Sequence, residues 1–147
     1  MKKSTEETSL YNNLENMSLI DLLMNINQED QKVAKVVNQV IANISELANM
    51  IVKKMSSGGR LFYIGSGTSG RLGVVDASEC PPTFGVSKNM VIALIAGGDS
   101  AIRAAVESAE DNIDQAWEDL KKHNITNKDI VVGISASGTT PYVVGGL

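Results

Sequence analysis

One cysteine, Cys80, and one histidine, His123, stand in a chain of 147 residues. A single cysteine excludes an intrachain disulfide and a Cys-based structural zinc site, and it agrees with a reducing compartment. A single histidine leaves Ser-His-Asp chemistry resting on one residue in a helix-end loop, where a His ordinarily serves the helix dipole. No apolar run approaches the roughly 20 residues of a membrane span, and Met1 to Ser9 is charged and polar with no apolar stretch behind it. The reading is cytoplasmic, with no membrane partner. Basic excess is missing as well. The formal charge is -4 with both signs interspersed, so no face is available to neutralise a phosphate backbone and nucleic acid is not an expected partner. A small anionic ligand remains compatible.

What is present is the make-up of a globular protein, 43% apolar and 20% charged, at a length suited to about one domain. Ser18 reads as the N-cap of a short amphipathic helix through Leu19, Ile20, Leu22 and Leu23, ending near Asn25 to Asn27. Asn27 then reads as the cap of a longer helix, with Glu29 and Asp30 in its first turn and an apolar stripe from Val33 to Met55. Gly58 and Gly59 end it. Residues 1–56 are thus expected to form an N-terminal helical segment, and residues 57–147 the start of an α/β domain.

Three short apolar runs follow, Arg60 to Ile64, Met90 to Ile95 and Ile130 to Ile134, each opening into a turn. A short helix is expected at Arg71 to Ala77, then a loop with two prolines from Glu79 to Gly85. A periodic helix is expected from Ala101 to Leu120, with Ile102, Ala105, Val106, Ala109, Ile113, Ala116, Trp117 and Leu120 on one face. Glu110-Asp111-Asn112 is the place where that helix would break in two. Strands alternating with helices imply parallel pairing, an α/β fold with helices on both faces of the sheet. The chain stops at Gly145-Gly146-Leu147, with the helix after the third strand barely begun, and so reads as truncated.

Gly65-x-Gly67-x-x-Gly70 after a strand matches the dinucleotide-binding fingerprint in spacing. That fingerprint also wants an acid roughly 20 residues on, whereas Asp99 comes later and sits where a helix cap would sit. The hydroxyls packed into the turn, Ser66, Thr68 and Ser69, are echoed after the third strand by Ser135, Ser137, Thr139 and Thr140. Both turns are expected at the carboxyl ends of strands, where backbone N–H groups and hydroxyls surround a terminal phosphate. The bland alternative is that they are helix caps.

Two carboxylates stand out. Glu79 lies in Asp76-Ala77-Ser78-Glu79-Cys80-Pro81-Pro82, where the prolines restrict the backbone. On the wheel of the Ala101 to Leu120 helix, Glu110 falls about 80° from the centre of the apolar stripe, nearer the packed boundary than Glu107 at about 140°. The alternative for both is a solvated acidic face. Cys80 has no neighbouring base to activate it and reads as a small buried residue. Trp117 reads as core, and Arg71 as a contact for a ligand anion or for Asp76.

The stretches GRLFYIGSGTSGRLGVVDASECPPTFGV, LIAGGDSAIRAAVESAEDN and DIVVGISASGTTPYVVGGL resemble the N-acetylmuramic acid 6-phosphate etherases, and TEETSLYNNLENMS is similar to the start of that family. Relatives with the same domain are the glucokinase regulatory proteins. The resemblance implies a three-layer, flavodoxin-like sugar isomerase (SIS) sheet, incomplete in this chain and preceded by helices. It implies that Gly65, Ser66, Gly67, Thr68, Ser69, Ser135, Ser137, Thr139 and Thr140 hold the sugar 6-phosphate. It further implies a lyase that cleaves the D-lactyl ether at C3, giving N-acetylglucosamine 6-phosphate and D-lactate, with Glu79 as acid on the lactyl oxygen and Glu110 as base on the C2 proton. No metal and no organic cofactor is implied, and the partner is a second copy in a homodimer. The family's chains are about twice as long, so a chain of this length is expected to lack the remaining strands of the sheet, a C-terminal helical region and some of the substrate contacts. A non-catalytic phosphosugar-binding regulator on the same fold is the main competitor, and an aldose-ketose isomerase the third. If the roles are right, both carboxyls converge within about 10 Å of the Gly65 to Gly70 turn once a neighbouring chain or the missing half is in place.

Overall fold

The computed structural model describes residue 5 and residues 7–147; most of the polar start read above, Met1 to Ser4 and Glu6, lies outside the described residues. The chain divides into two compact units, Met1–Met50 and Ile51–Leu147. Among the described residues no helix is long and apolar enough to cross a membrane.

In the first unit α1 spans Leu19–Gln39. Ser18 caps it, its extended backbone leaving the side-chain oxygen to accept from the Asp21 N–H at 3.2 Å. The break expected at Asn25 to Asn27 is absent. Asn27 sits inside α1 and accepts from Gln31 Nε2 at 2.7 Å, one turn on. Asparagine costs little in a helix interior, and neither glycine nor proline is present there to stop propagation. The interruption falls instead at Val40, where φ -115° and ψ 13° leave the helical range among the β-branched Val36, Val37, Val40 and Ile41. Helix α2 then runs Ile41–Ser56 and ends at Gly58, whose φ of +84° is glycine's province. No residue of α1 or α2 is buried.

The second unit is a parallel sheet of β1 (Leu61–Gly65), β2 (Val91–Ile95) and β3 (Ile130–Ile134), with β1 central in the order β2-β1-β3. Each strand is an apolar run of β-formers closed by a turn residue, and the three runs read in the sequence are these strands to within a residue at either end. Gly65 pairs with Ile95 on one side and Ile134 on the other, so all three strands end level at their carboxyl edge. Helix α3 (Gly67–Phe84) crosses from β1 to β2; α4 (Ser100–Arg103) and α5 (Gln115–Lys122) lie between β2 and β3; α6 (Pro141–Gly146) follows β3. Phe62, Ile64, Ala96, Ala116, Leu120, Tyr142 and Val143 form the core. The Tyr142 hydroxyl donates to Asp119 at 3.0 Å, tying α6 to α5.

Two helical expectations change. Residues 67–84 form one helix of 18 residues, not a short helix followed by a proline loop, so Glu79 stands on a helix. Pro81 and Pro82 fall in its last turn, where only the bonds to Ala77 and Ser78 are forgone, and Gly85 (φ +67°) closes the end with its N–H on the Pro81 carbonyl at 2.9 Å. The helix expected from Ala101 to Leu120 is broken: α4 stops at Arg103, Ser108 takes φ +60°, Ala109–Asp111 makes one tight 3-10 turn, and α5 begins at Gln115. The break at Glu110-Asp111-Asn112 is therefore the alternative that holds. Its apolar stripe dissolves accordingly, and Trp117, expected in the core, is 49% exposed.

At the opposite, amino edge of the sheet, Asp129 is buried and accepts from the Arg60 backbone N–H at 2.8 Å, from Arg60 Nη2 at 2.8 Å and from the Thr126 N–H at 2.9 Å. The Arg60 guanidinium holds the Asp129 carboxyl well below the usual carboxylate range, against the opposing effect of burial.

Candidate functional site

The Gly65 to Gly70 turn owes its glycines to geometry. A Cβ on Gly65 would stand 2.7 Å from the Gly70 nitrogen, and Gly67 has φ +51°. The first and third glycines let strand and helix approach; the second permits the turn. Nothing in that spacing requires a dinucleotide. Ser66 takes the N-cap position of α3 with extended backbone, yet its hydroxyl does not cap the helix. It donates instead to Glu110 Oε2 at 2.8 Å, across 44 residues of sequence. The N–H groups of Gly67, Thr68 and Ser69, in the first turn of α3, therefore have no capping side chain from Ser66.

Because β3 neighbours β1 in register, the second hydroxyl-rich turn starts beside the first, one strand spacing of about 4.8 Å away. Its hydroxyls are bonded to one another: Ser135 Oγ lies 2.9 Å from Thr140 Oγ1, and Thr139 Oγ1 donates to Ser137 Oγ at 3.1 Å. The Gly138 N–H donates to Ser135 Oγ at 3.1 Å, with Gly138 at φ +68°. The sequence-predicted residues Gly65, Ser66, Gly67, Thr68, Ser69, Ser135, Ser137, Thr139 and Thr140 thus occupy two adjacent turns on one sheet edge, and Glu110 joins them through Ser66.

A cleft of about 190 Å³ opens there, lined among others by Ser66, Gly67, Arg71, Ser108, Glu110 and Asp111. Arg71 does not pair with Asp76; its Nε donates to the Ile102 carbonyl at 3.0 Å, which holds the side chain along the cleft. Ser108 had no signal in the sequence, since only the left-handed turn before Glu110 brings it to the cleft. A larger cleft of about 460 Å³, with Gly97, Glu107, Asp119 and Lys122 in its wall, includes none of the hydroxyl-turn residues.

Glu79 is not among the residues brought together within one chain. It is exposed, three turns and more along α3 from Gly67, a rise of about 18 Å. Burial, then the nearby Asp76, pushes the Cys80 thiol up from its ordinary value, which agrees with an unreactive side chain. His123 lies at the end of α5, its ring edge-on to Phe62 with centroids 5.9 Å apart, remote in role from either turn. Among the described residues no three His, Cys, Asp or Glu side chains gather as a metal site would need.

Residues 39–147 match the family model described as the glucokinase regulatory protein N-terminal SIS domain. The chain is 60% identical to the N-acetylmuramic acid 6-phosphate etherase of Christiangramia forsetii over 99% of its own length and 54% of that protein. It is 57% identical to the enzyme of the same name from Bacteroides fragilis, over 99% of this chain and 52% of that one. The corresponding Caldanaerobacter subterraneus protein is 55% identical over 91% and 44%. The chain spans about half the length of the curated relatives it matches.

Proposed function

The chain belongs to the SIS-domain family of the glucokinase regulatory protein N-terminal domain, and from that premise we propose that it is the phosphosugar-binding part of a lyase acting on N-acetylmuramic acid 6-phosphate. The reading carries with it a cytoplasmic role in amino-sugar recycling and a homodimeric assembly. One observation carries it: two hydroxyl-rich turns share a sheet edge, and a carboxylate, Glu110, is hydrogen-bonded into the first of them.

The 6-phosphate of the sugar is received by the N–H groups at the start of α3 and by Ser66, Ser135, Ser137, Thr139 and Thr140. In doing so it competes with Glu110 for the Ser66 hydroxyl. Two anions do not share one donor favourably, so the arriving phosphate moves the Glu110 carboxylate off Ser66 and toward the sugar carbons. A proton at C2 is removable when C1 is a carbonyl, which makes the ring-opened aldehyde the reacting form. Glu110 takes that proton, the C3–O bond to lactate breaks, and Glu79 protonates the departing alkoxide. Water then adds at C3 by the reverse sequence, leaving N-acetylglucosamine 6-phosphate and D-lactate. Each proton transfer contributes roughly 10²- to 10⁴-fold.

A second reading is a catalytically silent phosphosugar-binding regulator. The distance of Glu79 from the turns within one chain favours it, as does a family model described by a regulatory protein. Lactate release from N-acetylmuramic acid 6-phosphate separates the two. Release supports the lyase; phosphosugar binding with no lactate leaves the regulator.

A further inference from the structure

The substrate of the proposed reaction carries two anions, and the hydroxyl turns meet only one of them. Besides the 6-phosphate, N-acetylmuramic acid 6-phosphate has the carboxylate of its lactyl ether. The hydroxyls and N–H groups of the two turns suit the phosphate. The cleft beside them is acidic, with Glu107, Glu110 and Asp111 in its wall. A second carboxylate entering it is repelled unless a cation is there to receive it.

Arg71 is the one basic residue among the described residues lining that cleft. It stands one helical turn after Gly67 on α3, and helical side chains lean toward the helix N-terminus, so its guanidinium comes back beside the first hydroxyl turn. Its Nε donates to the Ile102 carbonyl at 3.0 Å, which fixes the plane of the group. Among the described residues no ion pair joins it to the three acids, and both terminal nitrogens are without a partner. That leaves the Nη1–Nη2 edge, a planar fork that meets a carboxylate with two parallel hydrogen bonds. A guanidinium serving only to balance the acids would be paired with one of them.

Position separates this fork from the phosphate. Ile102 follows β2, whereas the second hydroxyl turn follows β3, and β1 lies between them in the sheet. A phosphate shared by the turns after β1 and β3 therefore lies to one side of the β1 turn, and Arg71 reaches to the other. Neighbouring strands are about 4.8 Å apart, so the two sides are separated by up to about 10 Å. Counted along the bonds from phosphorus through C6 and C3 to the lactyl carboxyl carbon, an extended ring-opened sugar covers about the same 10 Å. Glu110, bonded to Ser66 of the β1 turn at 2.8 Å, stands within that span, where C2 and C3 lie. Resting on the lyase reading, we infer that Arg71 receives the lactyl carboxylate and is a specificity-determining residue of the site. It distinguishes a sugar phosphate with a lactyl arm from a hexosamine 6-phosphate without one, and it loosens the product once lactate has left.

The test measures binding by calorimetry in a Glu110→Gln background, which holds the substrate without turning it over. Three ligands are compared: N-acetylmuramic acid 6-phosphate, its lactamide, in which the carboxylate is an uncharged amide, and N-acetylglucosamine 6-phosphate. The acid is expected to bind about tenfold to hundredfold more tightly than the amide. Adding Arg71→Gln removes that preference and leaves the affinities for the amide and for N-acetylglucosamine 6-phosphate unchanged. Equal affinity for acid and amide before Arg71 is replaced overturns the inference, and so does a preference that survives the replacement. Equal weakening of all three ligands overturns it too, since Arg71 then serves the phosphate or the fold. Where Arg71→Gln does not fold, Arg71→Lys takes its place, keeping the charge without the fork; a reduced preference supports the inference and an undiminished one overturns it. Wild-type protein that releases no lactate marks failure of the lyase reading instead, because the three affinities still report on Arg71.

Discussion

Ser66 links the two halves of the candidate site, since its hydroxyl is both a natural phosphate donor and the present partner of Glu110 at 2.8 Å. A hydrogen bond to a charged group contributes about 1.5 kcal/mol at the lower, exposed end of its range. Ser66→Ala is therefore expected to weaken phosphosugar binding about tenfold, measured by calorimetry with a hexosamine 6-phosphate, while thermal stability barely changes. Gly65 behaves in the opposite way. Gly65→Ala forces its Cβ against the Gly70 backbone, and the expected cost is about 1 to 3 kcal/mol in a denaturant titration. The hydroxyl turns were legible in the sequence because strand-turn patterns and Ser/Thr density are local. The Ser66–Glu110 bond was not, since it joins residues 44 apart and depends on a left-handed turn at Ser108 that no residue type announces.

At the scale of elements, the Arg60–Asp129 pair ties the start of β1 to the start of β3, at the edge opposite the site. Asp129→Ala takes the acceptor from the Arg60 and Thr126 backbone N–H groups, while the Arg60 guanidinium, 27% exposed, rehydrates, so the expected cost is about 1 to 3 kcal/mol, read from unfolding midpoints. The pH dependence follows from the direction of the shift. The folded-state pKa of Asp129 is depressed, so its contribution is complete above the unfolded value of about 3.9 and is lost as pH falls through the folded value. Asp129→Asn should flatten the loss of stability below about pH 4 relative to wild type. The strands were readable as apolar runs of β-formers, and parallel pairing followed from their alternation with helices. The helices were less so. Pro81 and Pro82 read as a loop, yet α3 carries them in its last turn, and Glu79 moved from a positioned loop to a helix face. An apolar 3.6-residue period from Ile102 to Leu120 likewise did not make one helix, because Val106 folds back to stand against Gly97.

At the scale of the molecule, surface is left uncovered. Leu72 and Val75 on α3, and Leu19, Val33, Val36, Ile41 and Ile44 on α1 and α2, are large apolar side chains exposed to solvent. Burial of such a side chain is favourable by about 1.5 to 3 kcal/mol. The measurement that bears most directly on function is D-lactate release from N-acetylmuramic acid 6-phosphate, by the wild-type protein and by Glu79→Ala and Glu110→Ala. Release by the wild type, with each substitution lowering the rate by about 100-fold or more while phosphosugar binding persists, is the expected result. Phosphosugar binding by the wild type with no lactate formed would contradict the lyase and leave a sensor on the same fold.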